Sequence, residues 1–285
     1  MSIREQLVLW LFETDALRVC PEKKPFFYTS GTIGPYYINT HFLYGDEKSA
    51  NLFLSKIDNY IADSDEVSPR VAADARRNYV AGGVYKALMD NIAETIRENV
   101  PVDEIDYISG GERRDWFFSF EAARLLGKPH ITIFKDKSIG IYKADESIES
   151  PPLKGARVFH ISDLITEASS YERAWIPAIE SLGAKMLWSL SVVDRMQGGA
   201  ELLAGYGVTQ ISLIAVEKEL FDRALATGKI TRDQYEMILA YLLDPTDAMS
   251  AFLKENPDFL KNALNGDGRT KARARLLIES GVYGV

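Results

Sequence analysis

The period of hydrophobic and polar positions changes along the chain, and each change marks an element. At the start, Ile3, Leu7 and Leu11 recur at helical spacing behind Ser2 and Glu5, a capping-box pattern. This helix is expected to end between Arg18 and Pro21. The turn-rich run Thr29-Ser30-Gly31-Thr32-Ile33-Gly34-Pro35 then leads into an aromatic and β-branched stretch, Tyr36-Tyr37-Ile38-Asn39, which reads as a strand. From about residue 80 the pattern alternates. A helix is predicted over 79–99, a short strand over 107–109 reaching Gly110-Gly111, and a helix over 115–126 ended by Gly127, a natural C-cap. A strand over 130–134, a polar loop over 136–154 holding Pro151 and Pro152, and a strand over 157–161 follow. A helix from about 170 to Leu182, closed by Gly183, and strands over 185–193 and 208–215 complete the series.

Short apolar strands alternating with helices define an α/β fold, a mostly parallel sheet with helices on both faces. After Ala215 the strands stop and three or four helices are expected. One starts at a second capping box, Thr231 to Gln234, and stops before Asp244-Pro245. The basic run Arg269, Lys271, Arg273, Arg275 reads as the solvated face of a last helix.

Composition narrows the function. The 285 residues are 46% hydrophobic and 26% charged, the balance of a globular chain rather than a disordered one. A net charge of -8 argues against nonspecific nucleic-acid binding, which needs a basic face, but permits a local anion pocket. Cys20 is the single cysteine, so one chain can form neither a disulfide framework nor a thiolate cluster. His41, His130 and His160 lack metal-ligand spacing; two of them fall in predicted buried strands and read as core histidines. No protein metal site is expected. No apolar run approaches the roughly 20 residues that span a bilayer, and Arg4, Glu5 and Glu13 in the first helix do not suit a signal peptide. The expected setting is the cytoplasm, with no membrane partner.

Ligands of an open parallel sheet bind beyond the carboxyl ends of its strands, and three loops there carry chemistry. In the first, a buried strand ends at Asp163, followed by Thr166, Ser169 and Ser170 at a helix start. Free N–H groups and the dipole suit a phosphate, and Asp163 can accept from sugar hydroxyls; alternatively, Ser169 or Ser170 merely caps the helix. The second is Gly110-Gly111-Glu112-Arg113-Arg114-Asp115, where glycines can present amides beside two guanidinium forks. Its plainer reading is that Glu112 and Asp115 pair with the adjacent arginines. The third is Asp194-Arg195, whose arginine can reach a planar anion or simply decorate a surface loop.

Together these segments resemble orotate phosphoribosyltransferase, collinearly from about residue 23 to 215. Ser30-Gly31-Thr32-Ile33-Gly34-Pro35-Tyr36-Tyr37-Ile38-Asn39 is similar to the family's Ser-Gly-x-x-Ser-Pro-Tyr-x-x-Asn hood signature, and Leu126-Gly127-Lys128-Pro129 to its Leu-Gly-x-Pro. Gly110 to Phe117 falls at the pyrophosphate loop, with Arg114 where a lysine is usual, and Asp194-Arg195 matches the family's Asp-Arg. The resemblance implies a type I phosphoribosyltransferase fold, with a helix and hood over 1–45, an α/β core over 46–215 and a helical extension over 216–285. Implied substrates are phosphoribosyl pyrophosphate (PRPP) and orotate, with Mg²⁺ held mainly through PRPP, in a homodimer. Asp163, Thr166, Ser169, Ser170, Arg113 and Arg114 would bind PRPP. Lys135, Lys137 and Asp163 would be catalytic, and Tyr37, Ile38 and Arg195 would hold the base.

The chain departs from this pattern at several positions. Ser162 stands where the PRPP motif has a second acid, Glu167 where it has a threonine, and Ala168 and Ser169 where it has glycines. Phe134 takes an arginine position, Thr29 a lysine position, and no histidine lies within 136–159. Three readings follow: an active transferase for orotate, a relative using another base, and a non-catalytic nucleotide-binding protein.

Overall fold

The computed structural model describes residues 3–22, 24–63 and 66–284. In chain order the elements are α1 (Ile3–Glu13), β1 (Leu17–Val19), β2 (Phe26–Phe27), β3 (Ile33–Gly34), β4 (Tyr36–Ile38), a 3₁₀ turn (Thr40–Tyr44), α2 (Glu47–Asp63), α3 (Val67–Ala81) and α4 (Gly83–Asn99). Next come β5 (Tyr107–Gly111), α5 (Trp116–Leu126), β6 (His130–Ile133), β7 (Ile139–Tyr142), β8 (Arg157–Ile165), a π-helical turn (Tyr171–Trp175), α6 (Ile176–Ser181), β9 (Lys185–Asp194), α7 (Gly199–Gly205) and β10 (Thr209–Ala215). Five helices follow: α8 (Lys218–Ala226), α9 (Arg232–Leu243), α10 (Pro245–Glu255), α11 (Asp258–Leu264) and α12 (Gly268–Ser280).

The chain divides into two compact units, Met1–Thr14 with Thr40–Val216, and Asp15–Asn39 with Glu217–Val285. The first holds a six-stranded sheet in the order β10-β9-β8-β5-β6-β7, parallel except for the β6–β7 hairpin at one edge. One layer of its core joins Tyr107, Ile131, Val158 and Ile165 of the strands to Ile176, Ile179 and Leu203 of α6 and α7. In the other, Phe117 of α5 packs edge-on against Tyr44 and Phe53, and Tyr85 of α4 donates its hydroxyl to the Phe117 carbonyl at 2.5 Å. The sheet is thus covered on both faces, as the alternating pattern predicts. Gly127 closes α5 in the left-handed conformation, at φ 66°.

In the second unit β1 pairs antiparallel with β4, and β2 with β3. Ile33 joins Met249, Phe252, Leu253, Leu277 and Tyr283 in one core, and Phe27 stacks on Phe259 at 5.1 Å. The hood segment therefore shares a unit with the C-terminal helices rather than standing apart from them.

Several expectations change. The first helix ends at Glu13, because 17–19 pairs as β1; its expected cap, Ser2, lies outside the described residues. The polar loop over 136–154 contains β7, whose residues Ile139–Tyr142 add an antiparallel edge strand to β6. The helix from 170 is a π-helical turn followed by six α-helical residues. Among the described residues the last region holds five helices rather than three or four. Arg273 is no plain solvated residue: its guanidinium donates to the Phe27 carbonyl at 2.8 Å, while Arg269 and Arg275 are exposed as expected. The capping box at Thr231 is present in full.

Candidate active site

At the carboxyl ends of β5, β6 and β8 lies a cleft of about 810 Å³. Arg113, Arg114, Lys135, Asp163, Ser169 and Ser170 all line it, so the structure brings six of the predicted residues to one place. Thr166, Lys137 and Arg195 are not among its lining residues. Lys137 sits exposed at the tip of the β6–β7 hairpin with φ 72°. Arg195 follows β9, where its N–H donates to the Ile165 carbonyl at 3.0 Å and its Nε is buried without a hydrogen-bond partner. Tyr37 and Ile38 belong to β4 of the second unit, where the Tyr37 hydroxyl donates to the Phe27 carbonyl at 2.7 Å.

The cleft has an acidic floor that the sequence pattern does not reveal. Asp115, which precedes α5, is buried, and one of its carboxylate oxygens accepts the Asp163 N–H at 3.0 Å. The other accepts the Gly111 N–H at 3.0 Å and lies 3.7 Å from His160 Nε2. Burial, then the Asp115 charge, pushes Asp163 up to about 7, against the pull of Arg114. Burial likewise pushes Asp115 up to about 7, although two backbone N–H groups oppose the rise. Two carboxyls in contact, Asp115 buried and Asp163 half-buried, cannot both ionise easily, so they titrate as a pair. The two N–H donors favour the charge on Asp115 and leave the shared proton with Asp163.

Above this floor the cleft is basic and hydroxylic. Arg113 forms an ion pair with Asp58, whereas Arg114, Lys135 and Arg173 make no ion pair among the described residues. Glu112 accepts the Lys135 N–H at 2.9 Å and Asp115 accepts two backbone amides, and among the described residues neither forms a direct ion pair with the adjacent arginines. Ser170 stands at the cap position of the π-helical turn without making a side-chain cap bond. Glu167, the carboxylate that would repel a phosphate, is exposed and is not among the lining residues.

The two glycines serve packing. A Cβ on Gly110 would stand 2.2 Å from Ser119 Oγ, and one on Gly111 would stand 2.2 Å from Trp175 Nε1. The Gly111 and Glu112 amides are occupied by Asp115 and by the Ile133 carbonyl, so they are not free donors for a phosphate. Ser162, in place of the second acid, turns into the core and bonds Ser191 at 2.7 Å. It also accepts the Tyr171 hydroxyl at 2.9 Å, which anchors the π-helical turn. Phe134, in the place of an arginine, packs edge-on to Trp116 at 5.3 Å.

His130 and His160 are fully buried in β6 and β8, in agreement with a core role. Burial lowers both to about 3, and so keeps them neutral. His41 is also lowered to about 3, by burial first and then by the charges of Arg114 and Arg113. Sequence reasoning missed Asp115, Arg173 and Trp175 as lining residues. For Asp115 the only signal is its place four residues after Gly111; the other two reach the cleft through the π-helical turn.

The fold and the cleft define a phosphoribosyltransferase type of architecture, and comparisons with known proteins agree. No protein-family model matches the chain. The orotate phosphoribosyltransferase of Sulfurisphaera tokodaii is 29% identical over 194 residues, covering 67% of this chain and 92% of that protein. That of Thermococcus gammatolerans is 28% identical over 142 residues, half of this chain and 73% of its own length. Among solved structures, Leishmania donovani UMP synthase superposes with a TM-score of 0.53 at 20% identity. The match covers 85% of this chain but only 42% of that longer one. Francisella tularensis orotate phosphoribosyltransferase superposes with a TM-score of 0.50 at 13% identity, covering 83% of this chain and 96% of its own. The chain is similar in sequence to these orotate phosphoribosyltransferases and has the type I phosphoribosyltransferase fold.

Proposed function

We propose that the cleft binds PRPP and that the chain transfers its phosphoribosyl group to orotate, giving orotidine monophosphate and pyrophosphate. One observation carries this reading. Asp163, the Ser169 and Ser170 hydroxyls, Arg114 and Lys135 share one cleft, and neither cation is spent on an ion pair among the described residues. In the reaction the bond from the ribose C1′ to pyrophosphate breaks, the electron pair leaves with pyrophosphate, and C1′ bonds to a ring nitrogen of the base. Arg114 and Lys135 would bind the leaving diphosphate, which is where preorganised charge contributes most. Ser169 and Ser170 would donate to the 5′-phosphate, and Asp163 would hold the ribose hydroxyls. Among the described residues no group of three or more acidic, histidine or cysteine side chains is placed to hold a metal ion, so Mg²⁺ would be carried on PRPP oxygens. Mg²⁺ would neutralise diphosphate charge. Tyr37, Ile38 and Arg195 are assigned to the base by sequence resemblance. A homodimer and a cytoplasmic setting belong to the same reading; among the described residues no helix is long and apolar enough to cross a membrane.

Two observations favour a second reading, a protein that binds the nucleotide without turnover: Phe134 packs into the wall where an arginine is expected, and Lys137 is not among the cleft's lining residues. Calorimetry with PRPP and Mg²⁺, followed by incubation of the complex with orotate, separates the two. Binding with formation of orotidine monophosphate supports the first reading. Binding without product supports the second.

A further inference from the structure

We propose that Asp115 is the positioning residue of the ribose site, restoring by a contact between distant segments the second carboxylate that the strand β8 motif lacks. The inference rests on the reading of the cleft as a PRPP site. Ser162 cannot act there, because its hydroxyl is committed to Ser191 and Tyr171 inside the sheet. Asp115 lies 48 residues earlier in the chain, yet its carboxylate lies at the floor of the same cleft. With one oxygen on the Asp163 amide and the other on the Gly111 amide, both at 3.0 Å, it clamps the end of β8 to the end of β5. The clamp fixes the backbone from which the Asp163 carboxyl projects.

His160 adds a second constraint. Its Nδ1 bonds Ser109 Oγ at 2.9 Å, and its buried Nε2 has no hydrogen-bond partner among the described residues and faces Asp115 at 3.7 Å. The Trp175 ring stacks on the imidazole at 4.6 Å and the Tyr171 ring packs edge-on to it at 5.0 Å, which holds the imidazole in place beside Asp115. Other charged groups of the cleft are Arg114 on the β5–α5 turn, Glu112 and the Arg113–Asp58 pair beside it, Lys135 after β6, and Arg173 on the π-helical turn. The role differs from a purely structural one because it acts through a single ligand group, the ribose diol. A ligand without ribose does not sense it.

The test compares PRPP with inorganic pyrophosphate by calorimetry on the wild type, Asp115→Asn, Asp163→Asn and the double variant. In Asp115→Asn one of the two N–H donors faces an amide NH₂ in place of an oxygen, so the clamp opens. Asp115→Asn is expected to weaken PRPP about tenfold or more, the scale of one or two lost charged hydrogen bonds, and to leave pyrophosphate within about twofold. The double variant is expected to lose no more than Asp163→Asn alone, because Asp115 acts through Asp163. If Asp115→Asn does not fold, Asp115→Ser, whose one hydroxyl oxygen can accept from only one of the two amides, takes its place, and the same selective loss of PRPP over pyrophosphate is expected. Unchanged PRPP affinity in the Asp115 variant, equal losses for both ligands, or additive losses in the double variant overturn the inference. If the wild type binds no PRPP, the reading of the cleft fails and this inference fails with it.

Discussion

Gly111 lies against the indole of Trp175 so closely that a Cβ added to the glycine would stand 2.2 Å from Nε1. The contact ties the end of β5 to the π-helical turn. Gly111→Ala is therefore expected to displace the ring and destabilise the protein by about 1–3 kcal/mol, the usual effect of overpacking. Denaturant unfolding measures the loss, and a shift in tryptophan emission reports the moved ring. An unchanged midpoint and spectrum would show that the contact yields freely.

Ser169 and Ser170 line the cleft, and Ser170 forms no cap bond, so their hydroxyls are available to a ligand. Each Ser→Ala change is expected to weaken PRPP about tenfold, by loss of one hydrogen bond to a charged group. Stability should stay within about 0.5 kcal/mol, unlike the roughly 1 kcal/mol lost with a true N-cap. Calorimetry and thermal unfolding on the same samples check both halves.

The raised Asp115–Asp163 pair makes a signed prediction about pH. Between about 4 and about 7 the folded protein holds a proton that the unfolded chain has released. The pair's contribution to stability therefore falls as pH rises through that window. Asp163→Asn removes the share of Asp163 and leaves Asp115 raised by its own burial, so the variant's stability relative to the wild type should increase from pH 4 to pH 8. Urea unfolding of both proteins across that range measures the difference; a flat difference contradicts the assignment.

His130 acts in the opposite direction. It is held neutral, bonded to Thr132 Oγ1 at 3.0 Å and Ser119 Oγ at 2.9 Å, and lowered to about 3. The unfolded chain takes up a proton near 6.5 that the folded chain refuses, so stability is lost as pH falls from about 6.5 toward 3. His130→Gln is expected to cost stability at pH 7 and to show a weaker loss on acidification, measured by unfolding at pH 7 and pH 5.

The parts of the structure legible in the sequence are those set by local period. The strands beginning at Tyr107, His130, Arg157 and Lys185, the Gly127 cap and the Thr231 capping box follow from neighbours a few residues apart. Gly110 and Gly111 were legible as special but for another reason: they admit Ser119 and Trp175, rather than offering amides to a phosphate. In the sequence Asp115 reads either as part of an anion-binding loop or as a partner for the adjacent arginines, because nothing in a linear pattern shows that it meets Asp163, 48 residues later. The union of 15–39 with the C-terminal helices was hidden for the same reason: Ile33 meets Leu277 and Tyr283 across most of the chain length. β7 was hidden because its apolar run Ile139-Gly140-Ile141-Tyr142 is only four residues long and lies inside an otherwise polar stretch.

The most direct measurement of the central claim is the ultraviolet absorbance of orotate incubated with PRPP, Mg²⁺ and the purified protein. The account predicts a PRPP-dependent loss of orotate, matched by orotidine monophosphate, that falls at least about tenfold in Arg114→Ala, where a charged group facing the leaving diphosphate is removed. Orotate that persists at micromolar protein, or a loss unaffected by Arg114→Ala, would contradict transfer at this cleft.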